Sequence, residues 1–311
     1  MTTSVLVPSS KNNLSTYKGD LKLGRHQKFY LREAWLPKLI DFCREPNLPA
    51  FAEDGIHHEF GVGKNMFTSM FFWAEASGIF RRCKIPNSQK AGLELTDLGM
   101  MIAEEDPFFE DRGSSWIVHI NLTQPTGPPG WYWFFNELRF SDGGDEYLGH
   151  SFSNWLSESK PENTWKQSFI DNEIRCVTDC YTLAANESNL TTLENTPLLG
   201  SLNLLSRSPR QLVRSSRSLE DLPLNIFLYG CALFREIYDN PDPSLDDLLW
   251  LPNGPGRTFG LDSDGLELML DQAEASGDFT VRTENTGLYN VHIPANNPQT
   301  YLQRHFRHAE N

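Results

Sequence analysis

The sequence has no apolar run approaching the roughly 20 residues that a membrane-crossing helix requires. Its first residues, MTTSVLVPSSKNN, lack a charged head followed by an apolar stretch. Membrane insertion and secretion are therefore not expected, and the expected location is the cytoplasm. Cysteine is sparse: Cys43, Cys83, Cys176, Cys180 and Cys231 are odd in number and lack metal-finger spacing. That excludes a disulfide framework and suits a reducing compartment. Cys176 and Cys180 stand one helical turn apart, but no His or Cys follows at a fitting distance, so they read as core thiols. Positive charge is also short, with 27 Lys+Arg against 41 Asp+Glu and a net charge of −14, which argues against a protein that wraps a polyanion with its whole surface.

What is present is enough to fold. The 311 residues allow two ordinary domains, and 39% apolar with 12% aromatic residues exclude general disorder. The charge is unevenly spread. Residues 21–90 hold 11 basic and 7 acidic side chains, whereas residues 91–311 hold 14 basic and 33 acidic ones. Only the N-terminal part is suited to phosphate, and its modest surplus predicts weak, salt-sensitive binding completed by a metal ion or a partner.

Residues 1–20, rich in Ser, Asn, Thr and Lys, read as a flexible tail. In the next segment Leu31, Trp35, Leu36, Leu39, Ile40 and Phe42 form a helical apolar face that Pro37 interrupts early, with Arg25, His26, Lys28, Arg32 and Lys38 opposite. FAEDGIHHEFGVGKNMFTSMFFWAEASGIF reads as a helix, a turn at Gly61–Gly63, a longer helix and a stop at Gly78. In the longer helix Met66, Met70, Trp73, Ala74 and Ser77 face inward, leaving Lys64, Asn65, Thr68, Ser69 and Phe72 outside. RRCKIPNSQKAGLELT then reads as a hairpin with a basic tip, and DLGMMIAEED as a closing helix. That order is a winged helix-turn-helix. Lys64, Asn65 and Thr68 with Arg81, Arg82 and Lys84 are its candidate DNA contacts, although a winged helix used purely for protein contacts shows the same pattern.

Two aromatic stretches within residues 107–140 read as buried, residues 141–164 as a long loop, and residues 185–222 as a polar stretch. From residue 223, LNIFLYGCALFREIYD and GLELMLDQAEASGD read as helices and FTVRTENTGLYNVHI as a hairpin turning at Glu284–Gly287. This is a possible second winged helix, but Asp262, Asp264, Glu267, Asp271 and Glu274 would keep it off a DNA backbone and suit a protein contact. The expected class is α+β, mainly α. The expected division is residues 1–20, a DNA-binding winged-helix domain over 21–140, a loop-rich helical connector over 141–222, and a winged-helix-like domain over 223–311.

The fragment GVGK is not a phosphate loop: the first glycine of that motif falls on His58, and Asn65 replaces the magnesium-binding hydroxyl. The acidic run Glu104, Glu105, Asp106, Glu110 and Asp111, followed by His119, has the residue types of a magnesium-dependent nuclease. Carboxylates suit a hard cation, and a nearby His serves as base. Acidic residues are equally common where a helix ends in a loop, and the basic group His26, Arg32 and Lys38 is equally a solvated helix face. Asp171, Glu173 and Asp179 form a second acidic group.

The blocks HQKFYLREAWLPK, FGVGKNMFTSMFFWAEASGIF, LTDLG, DPFFEDRGSSWIVH and WYWFFNE resemble, in order and spacing, a bacterial family of unknown-function domains found in defence islands beside DNA phosphorothioation genes. The resemblance is close over residues 24–140 and continues weakly through EIRCVTDCY and GPGRTFGLD. It implies a DNA nickase of an anti-phage modification system, dependent on magnesium or manganese. Such a nickase acts on double-stranded DNA with a cysteine desulfurase, an ATPase and a sulfur-inserting enzyme, the nick opening a position for sulfur to replace a non-bridging oxygen. Within the matched blocks, Glu110 and Asp111 are the expected metal ligands and His26 or His119 the water-activating base. Arg32 and Lys38 are expected to neutralise the phosphate under attack, and Lys64 and Asn65 to touch DNA. A non-catalytic DNA-binding adaptor of the modification complex is the alternative, and a regulator binding a palindromic operator a third reading.

Overall fold

Helix α1, Trp35–Arg44, opens the ordered core and carries Pro37 in its first turn, where a missing backbone N–H removes no helical bond. Its buried side chains Trp35, Leu36, Leu39 and Ile40 recur at helical spacing, so the proline that interrupts the sequence pattern does not interrupt the helix. The computed structural model describes residues 16–44, 48–138, 144–182, 195–207, 212–214, 221–283 and 289–309. Most of the tail expected over 1–20, the turn expected at Glu284–Gly287 and much of the polar stretch 185–222 lie outside the described residues.

The architecture is α+β and mainly α, with three separate two-stranded antiparallel sheets among the described residues. After α1 the chain makes two short 3-10 turns, Leu48–Ala52 and Ile56–His58, where the sequence predicts one helix. Gly55 explains the break, because it adopts a left-handed conformation (φ 88°) that cannot continue a helix. Helix α2, Lys64–Ala76, follows, then the hairpin β1 (Phe80–Lys84) and β2 (Ala91–Leu95), and α3, Asp97–Glu105. Thr96 caps α3 by accepting from the Gly99 amide at 3.0 Å. Gly99 must be glycine there, because a Cβ would lie 2.0 Å from the Ile79 carbonyl oxygen.

Helix α4, Arg112–Thr123, begins at the cap Asp111 and is buried along most of its length. A short helix α5, Pro129–Tyr132, runs into a π-turn over Trp133–Glu137. These two segments are the aromatic stretches seen in the sequence, and Trp116, Trp131, Trp133 and Tyr132 are among the largest fully buried side chains. Helix α6, Asp145–Ser159, replaces most of the loop expected over 141–164. Leu148, Phe152, Trp155 and Leu156 are buried on one face of it, a stripe that the intervening Gly and Ser residues disguise. Helix α7 is Gln167–Tyr181, and the hairpin β3 (Leu205–Arg207) and β4 (Leu212–Arg214) follows it.

The C-terminal part contains α8 (Leu224–Tyr238), α9 (Leu245–Trp250), α10 (Pro255–Phe259), α11 (Ser263–Ala275), the hairpin β5 (Thr280–Thr283) and β6 (Tyr289–His292), and α12 (Gln299–Ala309). Buried apolar side chains from Leu21 to Phe306 form one continuous cluster. Helix α2 with its hairpin and α11 with its hairpin are built alike. Each helix has 13 residues, and the strings AEASGIF (74–80) and AEASGDF (273–279) differ at one position. Gly78 and Gly277 are both left-handed, with φ of 74° and 76°, which ends each helix and turns the chain into its first strand. Met70 and Met269, about two turns earlier, are both buried.

Candidate nucleic-acid interface

Helix α2 positions the exposed chemistry. Lys64, Asn65 and Thr68 are exposed on its first turns, as the sequence predicts, whereas Ser69 and Phe72 are buried. The Ser69 hydroxyl donates to the His26 carbonyl at 2.9 Å, which ties the helix to the preceding segment. One stripe of α2 lines two concavities in succession. Lys64, Phe67, Thr68 and Phe71 line an open groove of about 680 Å³ whose far side carries His57 and Lys90. Phe72, Glu75 and Ala76, continuing the same face toward the C-terminal end of the helix, line a smaller cavity of about 350 Å³. These residues recur at three- and four-residue intervals, so the groove and the cavity follow one helix face.

Arginines mark the junction. Arg82 Nε donates to Glu75 Oε2 at 2.6 Å, and an Arg25 guanidinium nitrogen lies 3.6 Å from the same oxygen. The Arg82 guanidinium sits 5.5 Å from the Phe71 ring centre and that of Arg25 sits 5.2 Å from Phe72, so each plane rests on an aromatic face. Of the other basic residues of the hairpin, Arg81 pairs with Glu94 at 2.7 Å across it and Lys84 is exposed at the end of β1. Lys90 pairs with Asp54 at 2.8 Å.

At the wall of the smaller cavity stands Glu173, on α7 and only 2% exposed. Its Oε2 accepts from the Gly24 amide at 3.0 Å and lies 3.0 Å from His26 Nε2. His26 Nδ1 accepts from the Lys28 amide at 3.1 Å, so Nε2 carries the ring proton and donates it to the carboxylate. A fully buried imidazole thus orients a buried carboxylate, while among the described residues no hydrogen bond ties Glu173 Oε1. Lys22 and Arg25 line the same cavity, where Lys22 pairs with Asp20 at 3.0 Å and Arg25 faces Glu75. Burial first, and then the Glu173 charge, push the nearby Tyr17 hydroxyl well above its ordinary pKa.

The other residues singled out from the sequence do not meet at this place. Arg32 packs within 5.5 Å of the Tyr30 and Trp35 ring centres, and Lys38 Nζ donates to the Phe60 carbonyl at 3.4 Å. Asp111 caps α4 through the Gly113 amide at 2.7 Å, and its second oxygen lies 2.9 Å from His305 Nε2 on α12. Burial opposes ionisation of Asp111, but the hydrogen bonds from His305 and Gly113 outweigh it and hold the carboxyl below the usual range. Glu110 is exposed beside it. Asp106 accepts from the Glu110 and Asp111 amides, so it shapes the loop between α3 and α4. His119 is eight residues along α4 from Asp111, about 12 Å by helical rise, and is fully buried. Its Nε2 donates to the Thr258 carbonyl at 2.8 Å and its Nδ1 lies 2.7 Å from the Tyr181 hydroxyl. Cys176 and Cys180 are buried free thiols, and burial pushes Cys176 far from thiolate. Among the described residues no three His, Cys, Asp or Glu side chains converge to hold a metal ion. No described helix is long and apolar enough to cross a membrane.

Sequence reasoning placed Arg25 on a basic face without a role and missed Glu75 and the partnership of His26 with Glu173. One signal for the last was available: Glu173 falls on the apolar stripe Ile170, Ile174 and Val177, where a lone carboxylate requires a buried partner.

Residues 23–306 match the family described as "Protein of unknown function (DUF4007)", and the chain belongs to that family. No curated protein matches it significantly. Two solved structures share its fold. The SspB crystal structure superposes with a TM-score of 0.79 at 23% identity, covering 94% of this chain and 90% of that one. The magnesium ion-bound SspB crystal structure gives a TM-score of 0.77 at 23% identity, with 93% and 89% covered.

Proposed function

We propose that this chain is the DNA-nicking component of a bacterial phosphorothioate modification and anti-phage defence system. In this reading α2 and the β1–β2 hairpin lie against duplex DNA, with Lys64, Asn65, Thr68, Arg81, Arg82 and Lys84 facing the backbone. A phosphodiester enters the cavity beside Arg25 and Lys22. The observation that carries the reading is the buried Glu173 carboxylate, oriented by His26 at the wall of a cavity that continues the Lys64 and Thr68 face of α2. Glu173 Oε1 takes a proton from a water whose oxygen bonds to phosphorus. One phosphorus–oxygen ester bond breaks, and the leaving alkoxide takes a proton from solvent. Arg25 and Lys22 offset the charge that builds on the phosphate. The family resemblance extends the reading to the partners, a cysteine desulfurase, an ATPase and a sulfur-inserting enzyme.

The magnesium ion-bound SspB structure motivates magnesium, or manganese, as a cofactor. A cage built by this chain alone does not fit: Asp111 already holds Gly113 and His305, and Glu110 stands beside it as a single exposed carboxylate. Magnesium often takes one or two carboxylates and completes its shell with substrate phosphate oxygens and water, so the ion in this reading arrives with DNA. The second reading, a non-catalytic DNA-binding adaptor, is favoured by the enclosure of His119 and the engagement of Asp111.

Conversion of supercoiled plasmid to open circle tests both. Nicking is expected with magnesium, absent in EDTA, and reduced on the order of 100-fold or more in Glu173→Gln of native circular dichroism. Nicking lost in a folded Glu110→Ala/Asp111→Ala variant but retained in Glu173→Gln would move the site to α4. Plasmid binding without nicking under any condition establishes the adaptor reading.

A further inference from the structure

Glu75 and its structural counterpart Glu274 do different things from the same position. In both helix–hairpin units this glutamate reaches seven residues forward to the first strand. Glu274 Oε1 accepts from the Val281 backbone amide at 2.9 Å, a bond internal to the fold. Glu75 instead accepts from the side chain of Arg82 at 2.6 Å and draws Arg25 to 3.6 Å of the same oxygen. All three side chains are partly solvent-exposed, and exposed ion pairs contribute little to stability. The C-terminal unit shows that the turn forms without such a pair, so the arginines are not needed to build it.

A guanidinium presents the same donor fork to a phosphate as to a carboxylate. Arg25 and Arg82, each stacked on a different phenylalanine of α2, converge on one anionic oxygen at the junction of groove and cavity. We propose that Arg25 and Arg82 form a clamp for one DNA backbone phosphate, in which Glu75 occupies the anion position until the phosphate displaces it. Glu75 thereby keeps both arginines extended and stacked when DNA is absent and weakens binding by competing for them. The inference rests on the proposed DNA-binding function and adds to it a single phosphate subsite and a built-in competitor.

The test is fluorescence anisotropy with a short labelled duplex and the full chain at several salt concentrations. Glu75→Gln should tighten binding roughly three- to tenfold, because it removes the competing anion and leaves both cations. Arg25→Ala/Arg82→Ala should weaken binding and lower the magnitude of the salt slope by about one, as expected for a single phosphate. Adding Glu75→Gln to that double variant should then restore little. Glu267→Gln, an exposed carboxylate on α11 and outside the proposed DNA-facing surface, controls for a general change in charge. Equal gains from Glu75→Gln and Glu267→Gln, or a gain that survives loss of both arginines, would overturn the clamp while leaving DNA binding intact. No binding by either the wild type or Glu75→Gln at low salt would overturn the clamp and the DNA-binding function together.

Discussion

The α2 and α11 helix–hairpin units put one backbone solution to two electrostatic uses. Both run for 13 helical residues, bury a methionine at the seventh position, and stop at Ser-Gly with the glycine left-handed. Their surfaces then diverge. Where α2 carries Lys64 and Thr68, α11 carries Ser263 and Glu267, and where β1 carries Arg81, Arg82 and Lys84, β5 carries Thr280, Val281 and Thr283. The buried pattern sets the shape, because helix period and the glycine stop are dictated by sterics and burial. The exposed residues set the partner, because their charge is unconstrained by packing.

The comparison breaks if the shared interior does not matter equally. Met70→Ala and Met269→Ala each remove a fully enclosed thioether side chain and should each cost about 2–5 kcal/mol in chemical denaturation. A cost confined to one unit would show that the likeness is only one of backbone. The comparison sharpens if the surfaces do not matter equally. Neutralising Lys64, Arg81 and Lys84 together should weaken duplex binding on the order of tenfold or more at low salt. Glu267→Gln with Asp271→Asn on α11 should change it less than about twofold, since those charges lie on the other unit and screening limits their reach. A large gain from the second pair would mean that the acidic unit also lies near the DNA.

Much of this was legible in the sequence, for identifiable reasons. The order of helix, hairpin and helix after residue 63 follows from apolar spacing, the stop at Gly78 and the cap at Thr96, all of which are local. Helix α6 was hidden because Gly149, Ser151 and Ser153 fall between its buried Leu148, Phe152 and Trp155. The missing helix before Gly61 depended on the left-handed Gly55, and one glycine does not announce its φ. The site was harder to read than the fold. Exposed Lys64, Asn65 and Thr68 follow from helix period, but His26 and Glu173 meet across 147 residues, and only packing of the segment around Gly24 against α7 brings them together. His119 looked reactive because its residue type is, whereas its surroundings of Trp116, Phe135 and Tyr181 rings enclose it.

The glycine stops give a finer contrast. Gly78→Ala and Gly277→Ala both place a Cβ on a left-handed residue, at roughly 1–2 kcal/mol each. At Gly277 nothing lies within 4 Å of the added carbon, whereas at Gly78 it would meet the Asn121 amide nitrogen at 2.7 Å. That nitrogen donates to the Ser77 carbonyl at 2.8 Å, so it cannot move without breaking the bond that fastens the helix end to α4. Gly78→Ala should therefore cost about 1–3 kcal/mol more than Gly277→Ala, and equal melting shifts would show that Asn121 is free to give way.

The smallest effect concerns the helix that follows each hairpin. Helix α3 is fastened by the neutral Thr96 cap, but α12 is fastened to carboxylates, through Arg304 to Asp278 at 2.5 and 3.0 Å and His305 to Asp111 at 2.9 Å. Asp278 stands where the N-terminal unit has the buried Ile79, so this ionic tie has no counterpart there. Burial opposes ionisation of both carboxyls, yet the hydrogen bonds from Arg304 and Ser276 to Asp278, and from His305 and Gly113 to Asp111, hold both below the usual range. A carboxyl depressed in the folded state stabilises it above the unfolded pKa of about 4, and that stabilisation is lost as pH falls toward the folded value. Acidification below about pH 4 should thus loosen α12 before α3, by about 1 kcal/mol per half-buried pair, the upper end of what surface ion pairs contribute. Hydrogen exchange at pH 6 and pH 3.5, corrected for intrinsic rates, reads this directly. Protection lost equally from both helices would mean that α12 is held by its buried Tyr301, Leu302 and Phe306 instead of by its charges.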